Sequence, residues 1–111
     1  MKKNEIYLQH IAEAINKIEK YIKDENYDSF CGKDFMIDAV VRELEIIGEA
    51  AYNIEDEFKE KHSDMPWDGM KGMRNKLIHE YFGVNTKIVW ETCKKDLPEL
   101  EKLIKKYISN I

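Results

Sequence analysis

Apolar residues recur at three- and four-residue steps along most of the chain, the spacing of one buried face of an α-helix. Over residues 4–24 that stripe is Leu8, Ile11, Ile15, Ile18 and Ile22, widened by Tyr7, Ala14 and Tyr21. Glu13, Lys17, Lys20 and Lys23 take the other face, and His10 lies at the edge as a surface group. Asn4 is placed to cap this first helix, with Glu5 in its first turn. Residues 24–33 read as a connection, because Asp28, Ser29 and Gly32 are turn formers. Tyr27 and Phe30 within it are expected to fold back onto the core.

A second and longest helix is predicted over residues 34–61, with Asp34 as N-cap. Met36, Val40, Leu44, Ile47, Ala51, Ile54 and Phe58 keep helical period over its whole length. Asp38, Arg42, Glu45, Glu49 and Tyr52 form a polar stripe at the same steps, which ordinarily means a solvated face with weak ion pairs. Gly48 costs helix stability and so calls for a packing reason. With Ala50 and Ala51 it makes a smooth patch for a helix crossing, within the chain or between subunits. Residues 61–65 break the pattern, and His62 there finds no partner by spacing and reads as surface.

Pro66 suits the first position of a third helix, which runs from Trp67 to about Phe82 with weak points at Gly69 and Gly72. Met70, Met73, Leu77 and Tyr81 face the core, flanked by Ile78 and Phe82. Gly83 terminates it, and Asn85 or Thr86 caps the next element. Residues 86–110 are helical again, carrying Ile88, Val89, Trp90, Cys93, Leu97, Leu100, Ile104, Tyr107 and Ile108. Pro98 lacks the amide hydrogen a helix interior requires. Either one nearly continuous helix kinks there, or Asp96 caps a fresh helix with Glu99 closing a capping box. No strand pattern or internal repeat appears. The expected fold is all-α, an up-down helical bundle of four to five helices, with residues 1–111 forming a single domain.

Composition narrows the class. The chain has 111 residues, 43% hydrophobic and 36% charged, enough apolar material for one core under a charged surface. No apolar run approaches the roughly 20 residues that span a bilayer, and the N-terminal stretch lacks the apolar region of a signal peptide. No membrane association and a cytoplasmic location are therefore expected. Cys31 and Cys93, without C-x-x-C spacing, read as free thiols. A net charge of −4 argues against coating nucleic acid nonspecifically. It leaves room for a local basic site, since Lys71, Arg74, Lys76 and Lys87 lie in or beside the third helix, diluted by Asp68 and Glu80.

That helix also holds the candidate chemistry, in the string Arg74-Asn75-Lys76-Leu77-Ile78-His79-Glu80-Tyr81. Arginine brings a permanent charge and a donor fork suited to phosphate. Histidine can accept and donate a proton near neutral pH. Together they are the minimum kit for cleaving a phosphodiester without a metal, and no metal-ligand spacing occurs. Asn75 and His79 are four apart and share a helix face. Arg74 and His79 differ in direction by about 140° on a straight helix. They converge if the helix loosens, if Arg74 reaches round, or if a two-fold dimer brings two copies together. A plain structural role stays open: Glu45 and Glu49 on the second helix are available to pair with these groups, and Arg42 on the same stripe is a candidate support with them.

The same string resembles the Arg-x4-His-x-Tyr motif of HepT-like toxins, in the HEPN superfamily of all-helical ribonucleases. The likeness extends to VRELEIIGEAA (residues 41–51), to Pro66-Trp67 and to DLPEL (residues 96–100), and so covers most of the chain. It implies a metal-independent endoribonuclease without a cofactor, acting on RNA, with transfer RNA a family-flavoured target; a homodimer is expected separately, because one 111-residue bundle has limited room for an RNA-sized groove. His79 would move the proton of the 2′-hydroxyl or of the leaving oxygen, and Arg74 would hold the scissile phosphate. Asn75 and Lys76 would position phosphate and RNA. It further implies a small nucleotidyltransferase antitoxin of the MntA type that attaches AMP to the motif tyrosine, here Tyr81. The competing expectation is a noncatalytic module that binds nucleotide or RNA and docks such a nucleotidyltransferase.

Overall fold

The computed structural model describes residues 2–72 and 85–109. These form an all-α helical bundle, with no strand among the described residues. α1 spans Lys2–Ile22 and, among the described helices, packs most extensively along α3 (Asp34–Asn53). Leu8, Ile11, Ala14, Ile15, Ile18 and Ile22 of α1 are buried against Val40, Leu44, Ile47, Ala50 and Ala51 in one core, as the periodicity predicts. Tyr21 departs from that expectation, being 37% exposed at the edge of the stripe. Gly48 is buried within the single chain, so its place on α3 needs no second subunit to cover it.

The predicted connection over residues 24–33 contains a short helix, α2 (Tyr27–Cys31). Asn26 and Ser29 form a reciprocal capping box, the Asn26 side chain accepting from the Ser29 amide at 2.9 Å and the Ser29 hydroxyl accepting from the Asn26 amide at 3.0 Å. The cap holds a single turn that drops Phe30 into the core, fully buried and 5.1 Å from the Trp90 ring. Tyr27 stays at the surface with its ring 6.3 Å from Trp90. Lys33 rather than Asp34 occupies the N-cap of α3, without a side-chain cap, and Asp34 is the first helical residue.

The predicted 34–61 helix is two helices. α3 ends at Asn53, Ile54 and Glu55 are extended, and α4 runs Asp56–Lys61. The break is stabilised from α1. Asn4 is not a cap: it lies inside α1, buried, and its side-chain oxygen accepts the Glu55 amide at 3.1 Å. An extended residue there frees that amide for Asn4, whose own burial then goes unpenalised. Ile54 and Phe58 still fall on the apolar side, so the period runs through the break and conceals it.

A further helical stretch, α5, covers residues 67–72. Pro66 directly precedes it and its carbonyl accepts the first helical bond, from the Met70 amide at 3.0 Å. The chain is described again from Asn85, whose side chain caps α6 (Thr86–Glu91) by accepting the Lys87 and Ile88 amides at 3.1 and 3.2 Å. α6 passes through a wider turn at Thr92–Asp96 into α7 (Leu97–Ser109) without interruption. The Leu97 amide reaches back five residues to the Thr92 carbonyl. Such a π-type turn displaces the carbonyl that the Pro98 ring would otherwise strike. The nearly continuous helix is therefore the form adopted, with no capping box at Asp96. Val89, Cys93, Leu97, Leu100, Ile104 and Tyr107 face the core, while Ile88 is at the surface. Cys31 and Cys93 are both free. Burial pushes the Cys93 thiol up to about 12, so it is inert near neutral pH.

α1 and α7 also bring two carboxyl groups together. Protonated Glu19 donates to Glu101, and this bond, with some burial and mutual repulsion, raises Glu19 from 4.5 to about 7. Lys105, 3.5 Å from Glu101, opposes the shift. The folded protein thus holds a proton that the unfolded chain releases near 4.5. Stability from this pair is full below about pH 4.5 and is lost as pH rises through 7. Glu19→Gln, which mimics the protonated form, should flatten that part of the melting-temperature profile between pH 5 and 7.5, measured by circular dichroism in roughly 0.1 M salt. An unchanged slope would rule the pair out as its source.

Candidate functional site

Arg74, Asn75, Lys76, His79 and Tyr81 lie outside the described residues, so the candidate site is approached from the elements that flank it. Two are in place: α5, which leads to position 73, and Asn85, from which the chain continues into α6. The polar face of α3, which the sequence offers as support for these groups, is also described. Arg42 and Glu49 are exposed on it and Glu45 is half-buried, in line with Asp38 and Tyr52. The stripe legible in the sequence is thus the outward side of α3. The Asn53 amide group donates to the Glu49 carbonyl at 2.9 Å, closing the last turn of that helix.

At its C-terminal end this face meets α4 and α5 in a basic and aromatic corner. Tyr52 is 58% exposed, and the Lys71 ammonium lies 5.8 Å from its ring centroid. Partial burial, followed by repulsion from Lys71, holds Lys59 below the ordinary lysine value, while Asp56 and Asp68 act against that shift. Lys59 and Lys71 thus lie near one another beside α5, with Asp56 and Asp68 close enough to offset part of their charge. Among the described residues, no group of three or more His, Cys, Asp and Glu is gathered to hold a metal ion. None of the described helices is long and apolar enough to cross a membrane.

The segment between α4 and α5 is the least legible part of the sequence and is firmly built. His62, which spacing assigns to the surface, has its ring 4.3 Å from Phe58 and 4.6 Å from Tyr107. Its carbonyl accepts the Trp67 indole N–H at 3.0 Å and the Met65 amide at 3.2 Å. Tyr107, near the end of α7, donates its hydroxyl to Asp64. Lys106 lies 3.9 Å from the same carboxylate. Burial and the Asp64 carboxylate push the Tyr107 phenol up to about 12, and the Tyr107 hydroxyl holds Asp64 below the usual range, so the bond persists across neutral pH. Asp64 and Tyr107 are too far apart in the chain for any local pattern to link them.

With the helical scaffold described, residues 11–107 match the family model described as Ribonuclease HepT-like. The chain belongs to the HepT-like ribonuclease family. Similar proteins bear this out. One from Caldanaerobacter subterraneus, named "Putative RNase TTE0752", is 47% identical over 108 residues, covering 97% of this chain and 96% of that protein. One from Thermococcus cleftensis, named "Probable ribonuclease HepT", is 47% identical over 100 residues, 86% of each chain. One from Methanocaldococcus jannaschii, named "Gamma-glutamylcyclotransferase and putative RNase MJ0434", is 46% identical over 106 residues, which is 96% of this chain and 48% of that longer protein. No solved structure matches. The matched span includes the string from Arg74 to Tyr81 together with all of α3, α5 and α6. As a member of a ribonuclease family, the chain is assigned RNA as its substrate class.

Proposed function

We propose that this single-domain chain is a metal-independent endoribonuclease and the toxin of a toxin–antitoxin pair. The observation that carries the reading is the Arg74-x4-His79-x-Tyr81 string inside a chain of the HepT-like ribonuclease family. In the proposed reaction His79 takes the proton of a ribose 2′-hydroxyl, and that oxygen attacks the adjacent phosphorus. The bond from phosphorus to the 5′-oxygen breaks, and the leaving oxygen takes up a proton. The products are a 2′,3′-cyclic phosphate and a 5′-hydroxyl. Arg74 binds the phosphate and stabilises charge gathering on it as the five-coordinate species forms. Asn75 and Lys76 orient phosphate and RNA, and Arg42, Glu45 and Glu49 support the charged groups from α3. A homodimer in the cytoplasm would set two motif copies beside one cleft.

Regulation completes the proposal. A nucleotidyltransferase antitoxin attaches AMP to Tyr81, two residues from His79. The adenylate adds bulk and a negative phosphate that competes with RNA for Arg74. The test is growth and total RNA after induction of the chain with and without such a partner. Arrest with new RNA ends is expected only without it, and Tyr81→Phe should stay toxic in its presence. Full neutralisation of Tyr81→Phe would remove AMP attachment as the control step. A folded wild type that neither arrests growth nor generates RNA ends would favour a noncatalytic module that docks the nucleotidyltransferase.

A further inference from the structure

The clasp between Tyr107 and Asp64 has a consequence for the site, and it rests on the ribonuclease reading above. α7 is fixed to the bundle by buried Leu97, Leu100 and Ile104, so Tyr107 projects from a firm base. It grips the loop before α5 at two points. Its ring lies against His62, which in turn lies against Phe58, and the Phe58 and Tyr107 rings approach at 6.4 Å. Its hydroxyl donates to Asp64. From there the loop is tied forward. The Trp67 indole donates to the His62 carbonyl at 3.0 Å, the Trp67 amide to Met65 at 2.9 Å, and the Met70 amide to Pro66 at 3.0 Å. Met65, Trp67 and Met70 are buried, which anchors the other side of α5. The titratable side chains facing the clasp are Lys106 beside Asp64 and His62 within the ring stack.

We infer that Asp64 and Tyr107 are positioning residues: their clasp sets where α5 begins, and through α5 where the backbone delivers Arg74 and His79. Arg74 lies two residues beyond position 72 in sequence, so a displaced first turn of α5 changes where the chain enters the string that carries the reacting groups. Neither side chain touches RNA in this account.

Tyr107→Phe keeps the ring stack and removes only the hydroxyl. Amide hydrogen exchange of a peptide spanning residues 63–72 should become about tenfold faster, with α1 unchanged. At 25 °C, well below melting, kcat on a short RNA should fall about tenfold while KM stays within twofold. Asp64→Ala should match Tyr107→Phe, and the double variant should be no worse than either, because both remove one bond. Asp64→Asn, which can still accept the hydroxyl, should recover most of the rate. Unchanged exchange in Tyr107→Phe overturns the clasp as a determinant of α5. Faster exchange with an unchanged rate, or a rate lost only in proportion to melting temperature, overturns the positioning role alone. A folded wild type that cuts no RNA overturns the ribonuclease reading itself, and the positioning role with it.

Discussion

His79→Ala should slow RNA cleavage by about 100- to 10,000-fold, the usual worth of a positioned general acid or base. The expectation follows from what a 2′-hydroxyl needs near neutral pH. Unassisted, it is far too weak an acid to attack phosphorus quickly, and imidazole is the side chain matched to take its proton there. Arg74→Ala should cost a similar amount by leaving the phosphate charge uncompensated, and Arg74→Lys should restore only part, since ammonium lacks the two-pronged fork. The measurement is single-turnover cleavage of a labelled RNA with chelator present, comparing the wild type with each variant. The same RNA with one 2′-deoxy residue at the cleaved position should resist cutting there. A His79→Ala rate within threefold of wild type would remove His79 from the chemistry. Cleavage by the wild type that vanishes with chelator would contradict metal independence.

The largest expected effect on stability lies in the segment that sequence reasoning treats as a connection. Phe30→Ala should cost about 3–5 kcal/mol, as for other fully buried aromatic residues. Phe30 is the only residue of α2 in the buried core. Its ring meets Trp90 of α6 at 5.1 Å, an aromatic contact adding roughly 0.5–1.5 kcal/mol beyond burial. A single turn cannot rearrange to fill the cavity without losing the Asn26–Ser29 cap, so little of the loss is recovered. Since domains of this size are stable by about 5–15 kcal/mol, the variant should melt roughly 10 °C or more lower. Urea denaturation should show a lower midpoint with the same slope. Tyr27→Ala, at the exposed end of the same helix, should cost far less. A loss under about 1 kcal/mol for Phe30→Ala would mean that α2 is not held by that ring.

The helical architecture is legible in the chain because its signals are local. The stripes from Leu8 to Ile22 and from Val40 to Ala51 repeat every three or four residues, and burial follows them closely. The Asn85 cap is written in a tripeptide. The family motif is likewise local: Arg74, His79 and Tyr81 fall within eight consecutive residues, so the string can be read without knowing the fold. The division of residues 34–61 is not legible in this way. Ile54 and Phe58 continue the apolar period, and what stops the helix is a side chain from the other end of the chain, Asn4, taking the Glu55 amide. Asn4 itself reads as a cap because asparagine favours caps, yet it serves a buried bond 51 residues away.

By itself the sequence determined the all-α class, the faces of the main helices and the ribonuclease family, since each rests on short-range periodicity or on a contiguous string. Tertiary structure alone decided where the long helix breaks, how Pro98 is absorbed by a widened turn, and that His62, Asp64 and Tyr107 meet. The physical reason is shared. A helix face is set by neighbours three and four residues away, whereas a clasp or a break depends on donors and acceptors that only folding brings within about 3 Å of each other.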